Sequence, residues 1–256
     1  LRDNLNIYPT DTEGIIENIG TGAYNLELPS ERDRQGFPAI GFMLYGVGET
    51  DAEVLDTYTG MEGIAYLDYL NALTTRLDEL TNVVLASWTS GYRDEFVNND
   101  GSSATASVDK MVNDFLFYYE KNLRAGKVGI PAGVFSGSPL PRHVEAFYYG
   151  KGRLLLERAL QSSQDFFNTG NGLADYLQSL DARKDDSPLH TLINDQFDSA
   201  KAAIASLDED LSAQVENDNN KMLEAYDELQ KNVVLMKVDM LQALSINVDY
   251  VDADGD

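Results

Sequence analysis

Apolar residues recur at spacings of three and four along most of this chain, and they nowhere form a set of alternating runs. The clearest stretch is Ile64, Leu67, Leu70, Leu73, Leu77, Leu80, Val84 and Trp88. Such spacing puts the side chains on one stripe of an α-helix. It predicts a long amphipathic helix with room to continue to Phe96, stopped by the turn residues Asn98-Asn99-Asp100-Gly101-Ser102-Ser103. A second helix is predicted over Ala104–Leu123, burying Val108, Met111, Val112, Phe115, Leu116 and Tyr119. Gly126 through Pro141 is rich in Gly, Pro and Ser and reads as a long loop. A loop of that length serves function, closes over a groove, or simply crosses between helices.

Val144–Tyr149 reads as a short helical stretch, loosened by Gly150 and Gly152. Arg153–Phe167 predicts a third strong helix, ended by Asn168-Thr169-Gly170-Asn171-Gly172, and Leu173–Leu180 a short one. Ser187 reads as the cap of a further helix with Pro188 in its first turn. Its apolar positions are Leu189, Leu192, Ile193, Phe197, Ala200 and Ile204. The last helix, about 217–245, carries Met222, Tyr226, Leu229, Val233, Met236, Met240 and Leu244 on one face. Nearer the start, Asp11-Thr12-Glu13 resembles a helix cap, followed by Ile15, Ile16 and Ile19 and broken by Gly20, Gly22 and Pro29. Gly36-Phe37-Pro38-Ala39-Ile40-Gly41-Phe42-Met43-Leu44-Tyr45-Gly46 reads as the start of a buried helix. The chain is therefore expected to be all-α, built of antiparallel helices. The break at 126–141 suggests two bundle-like halves, residues 1–126 and 127–256.

Composition narrows the chemistry. The chain has 256 residues, 43% hydrophobic and 24% charged, enough for a substantial core. Its net charge is −24, from 43 acidic and 19 basic residues. That surface repels phosphate backbones and anionic lipid, and no basic patch offsets it, so nucleic acid is excluded as a partner. The same field attracts cations and basic peptides, although its plain reading is a solvated surface. With no cysteine, disulfides, thiolate catalysis and cysteine-ligated metals are excluded. No apolar run approaches the ~20 residues that span a bilayer.

The chain does not begin with Met and shows no signal peptide, so it reads as a mature or truncated form. The tail from Asp249 to Asp256 lacks the glutamate of a calcium loop and reads as a disordered acidic terminus. His143 and His190 read as structural or solvent-facing. No H-E-x-x-H, G-x-S-x-G or phosphate-loop motif occurs. A carboxylate-only site would favour a hard divalent cation. Tyr45, Tyr118, Tyr119, Phe147, Tyr148 and Tyr149 sit near breaks in helical regularity, where rings either line a ligand cleft or pack with the hydroxyl at the rim.

Four segments together resemble the imelysin-like proteins, the peptidase M75 grouping that includes periplasmic iron-uptake components. They are Gln35–Gly46, the helix ending Leu85-Ala86-Ser87-Trp88, the run Pro139-Leu140-Pro141-Arg142 with Glu145-Ala146-Phe147-Tyr148-Tyr149, and the final helix with Ser245-Ile246-Asn247-Val248-Asp249. The resemblance covers roughly residues 10–250, in order. It implies two helical-bundle halves with a site at their junction, export to the periplasm or cell surface of a Gram-negative bacterium, often as a lipoprotein, and a link to iron uptake. It also implies more helix ahead of residue 1, and a membrane tie only through a lipid anchor outside this chain.

The family's G-x-H-x-x-E pattern is degenerate here. Gly36 is present, but Pro38 stands in the His position and Gly41 in the Glu position. Neither offers a ligand atom, so no catalytic and no metal-ligating residue is assigned. The expected function is non-catalytic binding of an iron-related ligand or an envelope protein at the junction of the halves. Iron or another divalent cation is the cofactor to consider. Tyr45, Trp88, Arg142, Glu145 and Tyr148 are the expected cleft residues, with Arg142 holding an anionic group and Glu145 orienting it. The alternatives are a metallopeptidase of the M75 type, which needs an open metal site and a general base, and a structural or assembly protein of the cell envelope.

Overall fold

A computed structural model describes residues 2–101 and 103–250. The acidic end beyond Tyr250, expected to be a disordered terminus, lies outside the described residues. The fold is all-α. Contacts group the chain into two units: the residues up to Glu95 with Glu145–Gly150, and Phe96–Val144 with Lys151 onward. The parting thus falls at Glu95 rather than at residue 126, and a short piece of the later chain returns to the first unit.

The first unit contains α1 (Arg2–Leu5), α2 (Thr12–Thr21), α3 (Gly36–Tyr45), α4 (Asp51–Thr59) and α5 (Gly63–Ser87). Asp11 caps α2 by accepting the Gly14 N–H at 3.0 Å. The helix runs through Gly20 and ends at Gly22, whose φ of 62° only glycine adopts freely. Thr50 and Glu53 form a reciprocal capping box at the start of α4. Ile15, Ile19, Leu26, Ala39, Phe42, Met43, Tyr69 and Leu73 make the core. Each Ile, Leu, Phe or Met among them contributes about 1.5–3 kcal/mol on burial.

A polar knot lies beside this core. Asn18 donates to Glu31 at 2.7 Å, and Arg34 donates to Glu31 at 3.3 Å and to Asp11 at 2.8 Å. The Tyr69 hydroxyl donates to the Arg34 carbonyl at 2.9 Å. It ties α5 to the 3₁₀ turn Pro29–Arg34.

The long helix appears where expected, but its buried line differs. Ile64, Leu67, Val84 and Trp88 are exposed, and among its larger residues only Tyr69 and Leu73 are fully covered. At the far end the reason is reach: α5 packs on α2, α3 and α4. Its last two turns, with Val83 and Leu85 more than half exposed, run past them.

α6 (Arg93–Asn98) spans the parting. The second unit then contains α7 (Ser107–Phe117), α8 (Gly152–Asn168), α9 (Leu173–Ser179), α10 (Leu189–Ala205), α11 (Leu211–Asn217), α12 (Asn219–Val234) and α13 (Leu241–Leu244). α10 lies between α8 and α12. Met222, Leu229, Val233, Met236 and Met240 are all buried, as their spacing predicts. π-helical segments occupy Tyr118–Gly129, continuing α7, and Leu235–Met240, joining α12 to α13. The expected loop therefore begins only after Gly129.

Three further expectations need correction. Val144–Tyr149 is not a helix but a single 3₁₀ turn, Phe147–Tyr149, bracketed by Ala146 and Gly150 in the left-handed region. Ser187 does not cap α10. Ser187–Pro188 pairs antiparallel with Arg183–Lys184, and Pro188 takes the cap position. Asp249 and Tyr250 are held in place rather than loose. No described helix is long and apolar enough to cross a membrane.

Candidate functional site

The residues of the degenerate motif all serve packing. Gly36 opens α3 with φ at 81°, and a Cβ there would meet the Leu5 carbonyl oxygen at 2.3 Å. Pro38 sits in the first turn of α3, where its missing N–H leaves no bond unmade. Gly41 lies under the Tyr149 ring, whose Cε1 would stand 2.9 Å from an added Cβ. Gly46 does the same for Tyr148, with Cδ1 at 2.3 Å from an added Cβ. The glycines of α3 thus form a floor onto which the Glu145–Gly150 segment lays its rings.

The result is an aromatic shelf. Tyr148 packs on Phe42 at 5.2 Å between ring centroids, Tyr149 on Tyr45 at 5.5 Å, and Phe147 edge-on to Tyr148 at 5.2 Å. Tyr45 is 54% exposed and forms the shelf's open side. Glu145 is buried beside it and accepts a hydrogen bond from the Asn6 amide at 2.8 Å. Burial, with the negative charge of Glu145 added, pushes the Tyr149 phenol above its ordinary pKa, so it stays protonated.

Of the five expected cleft residues, Tyr45, Glu145 and Tyr148 come together here. Trp88 stacks edge-on to Tyr92 at 5.1 Å, in a π-helical turn where Gly91 takes φ of 134°. Arg142 is exposed in the second unit, on the 3₁₀ turn Pro141–His143 that packs against α11.

The residues do not fit a metal at the motif. Pro38 and Gly41 carry no donor atom, and Tyr149 fills the space above Gly41. Among the described residues no three His, Asp or Glu side chains gather into a group able to hold a metal ion.

A second constellation escaped the sequence reading. Glu120, Arg124 and Lys127 are buried in the π-helical segment that follows α7. Glu120 accepts from Lys237 at 3.0 Å and from the Tyr250 hydroxyl at 2.8 Å, and pairs with Arg124 at 3.5 Å. Arg124 donates to the Tyr226 hydroxyl at 2.9 Å and to the Gln230 side-chain amide oxygen Oε1, and lies 5.0 Å over the Tyr226 ring. Gly129 lets that ring approach, since an added Cβ would meet its Cε2 at 2.7 Å. The neighbouring Tyr119 phenol is pushed up by complete burial. The signal in the sequence was the spacing of Glu120, Arg124 and Lys127 by four and three, which puts the three charges on one helix face. The eye reads that as a solvent face.

Fold and site together define an all-α helical-bundle protein whose motif glycines carry aromatic packing in place of ligands. The chain belongs to the imelysin family: the family model for imelysin, Peptidase M75, matches residues 2–236. An imelysin-like protein from Psychrobacter arcticum 273-4, known from its crystal structure, shares the fold with a TM-score of 0.70 and 19% identity, over 97% of this chain and 73% of that one. No curated protein matches the chain in sequence.

Proposed function

We propose that this chain is a non-catalytic binding protein of the imelysin family, exported to the cell envelope and working in iron uptake. Its ligand- or partner-facing surface is the aromatic shelf on α3. The observation that carries this reading is the seat of Tyr149 on Gly41, which uses the family's glutamate position for packing and leaves no donor there. An exposed Tyr45 ring beside half-buried rings and the buried, hydrogen-bonded Glu145 suits recognition of a planar or apolar group with a polar edge. Peptide hydrolysis by a metal requires an ion with an open coordination position, and the motif residues supply no ligand for one.

Two measurements test this. Protein purified without chelator should contain less than stoichiometric metal and should not cleave peptides. Stoichiometric metal with chelator-sensitive cleavage would replace this reading with that of an M75 metallopeptidase. In the source cell, loss of the gene should slow growth under iron limitation, and the Tyr45→Ala, Tyr148→Ala variant should fail to restore it. Full rescue by that variant, expressed at normal level, would remove the shelf from the function.

A further inference from the structure

The end of the described chain is bound as a ligand would be bound. Ser245, with φ of 58°, ends α13 and turns the chain out of the helix. Asn113, itself 3% exposed, then clasps the main chain at two points. Its amide nitrogen donates to the Asn247 carbonyl at 3.0 Å, and its oxygen accepts the Asp249 N–H at 3.2 Å. These contacts read backbone alone, and the side chains of Asn247, Val248 and Asp249 are exposed.

Side chains are read at the two ends of the segment. Ile246 is buried at one end. At the other, the Tyr250 ring meets Phe117 edge-on at 5.4 Å, lies under Lys237 at 5.3 Å, and donates its hydroxyl to Glu120 at 2.8 Å. A main-chain clasp between an apolar anchor and a phenol anchor is a recognised way to hold an extended peptide. The phenol anchor is specific, because buried Glu120 accepts a hydrogen bond from the hydroxyl and a phenyl ring has none to offer.

We propose that this face of α7 and the π-helical segment is a binding site for an extended peptide of the pattern apolar-x-x-x-Tyr, and that the chain's own residues 246–250 fill it in cis. The tail holds the site by its high local concentration, so a free peptide must compete with a tethered one. The site is independent of the shelf on α3.

The test uses full-length protein carrying Tyr250→Ala and a labelled peptide, Ser-Ile-Asn-Val-Asp-Tyr, followed by fluorescence anisotropy. The peptide should bind this variant saturably and the unaltered protein at least about tenfold more weakly. A peptide ending in Phe should lose roughly ten- to a hundredfold, the worth of one charge-assisted hydrogen bond. Asn113→Ala added to the variant should abolish binding. Equal binding of the Tyr and Phe peptides, or no saturable binding, overturns the proposal. If Tyr250→Ala fails to fold, hydrogen exchange in the unaltered protein decides. Excess Tyr peptide should speed exchange of the Asp249 amide, and the Phe peptide should not. No acceleration by either peptide refutes the site, and a dimer that exchanges tails between copies refutes its filling in cis.

Discussion

Tyr149 fills the volume in which a side chain at position 41 would stand, its Cε1 2.9 Å from an ideal Cβ on Gly41. Two effects then compete in a substitution. Ala gains up to about 1 kcal/mol over Gly in a helix interior, while displacing a packed ring costs about 1–3 kcal/mol. Gly41→Ala should therefore fall between neutral and a loss of about 2 kcal/mol. Gly41→Glu should lose about 1–3 kcal/mol by overpacking. Urea unfolding of both variants checks this. Adding Pro38→His to Gly41→Glu restores the letters of the motif, but metal analysis should find no gain in bound metal, because the Tyr149 ring occupies the volume above position 41.

Asp11 ties acid sensitivity to the start of α2. The Gly14 N–H and the Arg34 guanidinium hold its carboxyl below the ordinary value of 3.8, against a smaller opposing effect of burial. A lowered folded-state pKa gives stability that is present above pH 3.8 and is lost as pH falls through the folded value. Asp11→Asn keeps a cap but removes that acid-induced loss. Asp11→Ala removes the cap as well and should cost about 1 kcal/mol at neutral pH. Unfolding free energies measured from pH 7 down to 2 separate the two.

Tyr69 gives the opposite sign. Burial raises its phenol from 10.0 to about 12. A raised folded-state pKa gives stability that is full below pH 10 and is lost as pH rises toward 12. Tyr69→Phe should flatten that part of the pH profile relative to the unaltered protein. At neutral pH it should cost about 1–3 kcal/mol, since the Arg34 carbonyl and the Asn18 amide lose a partner. An ultraviolet phenolate titration should lose one component that titrates well above pH 10.

Glu120 balances the buried Arg124 and the partly covered Lys237. Glu120→Ala leaves both without it and should cost about 3–5 kcal/mol, whereas a matched apolar replacement of all three should cost far less. Thermal unfolding of the single and triple variants distinguishes the two cases.

The helices were legible because burial in this fold follows a 3.6-residue period. The stripe on the last helix, from Met222 to Met240, is covered as its spacing says. The stripe on α5 misled because periodicity reports an amphipathic face, not the length of the partner that covers it. The shelf was half legible: Tyr45, Glu145 and Tyr148 stood near breaks in pattern, but the placing of Tyr149 over Gly41 depends on left-handed turns at Ala146 and Gly150. At Ala146 no sequence rule anticipates that conformation. Glu120 and Arg124 were illegible because charge normally marks the outside, and here a π-helical turn carries both inward.

That turn has a consequence for how this chain is set against its relatives. A π-helical turn closes on the fifth residue instead of the fourth, so removing one residue between Tyr118 and Gly129 would rotate all that follows by about 100° about the helix axis. A relative one residue shorter there would direct different side chains at the inner strut formed by Lys237. Length along this stretch therefore bears on which side chains face inward. An alignment that slides a gap freely through it would pair enclosed residues with surface ones.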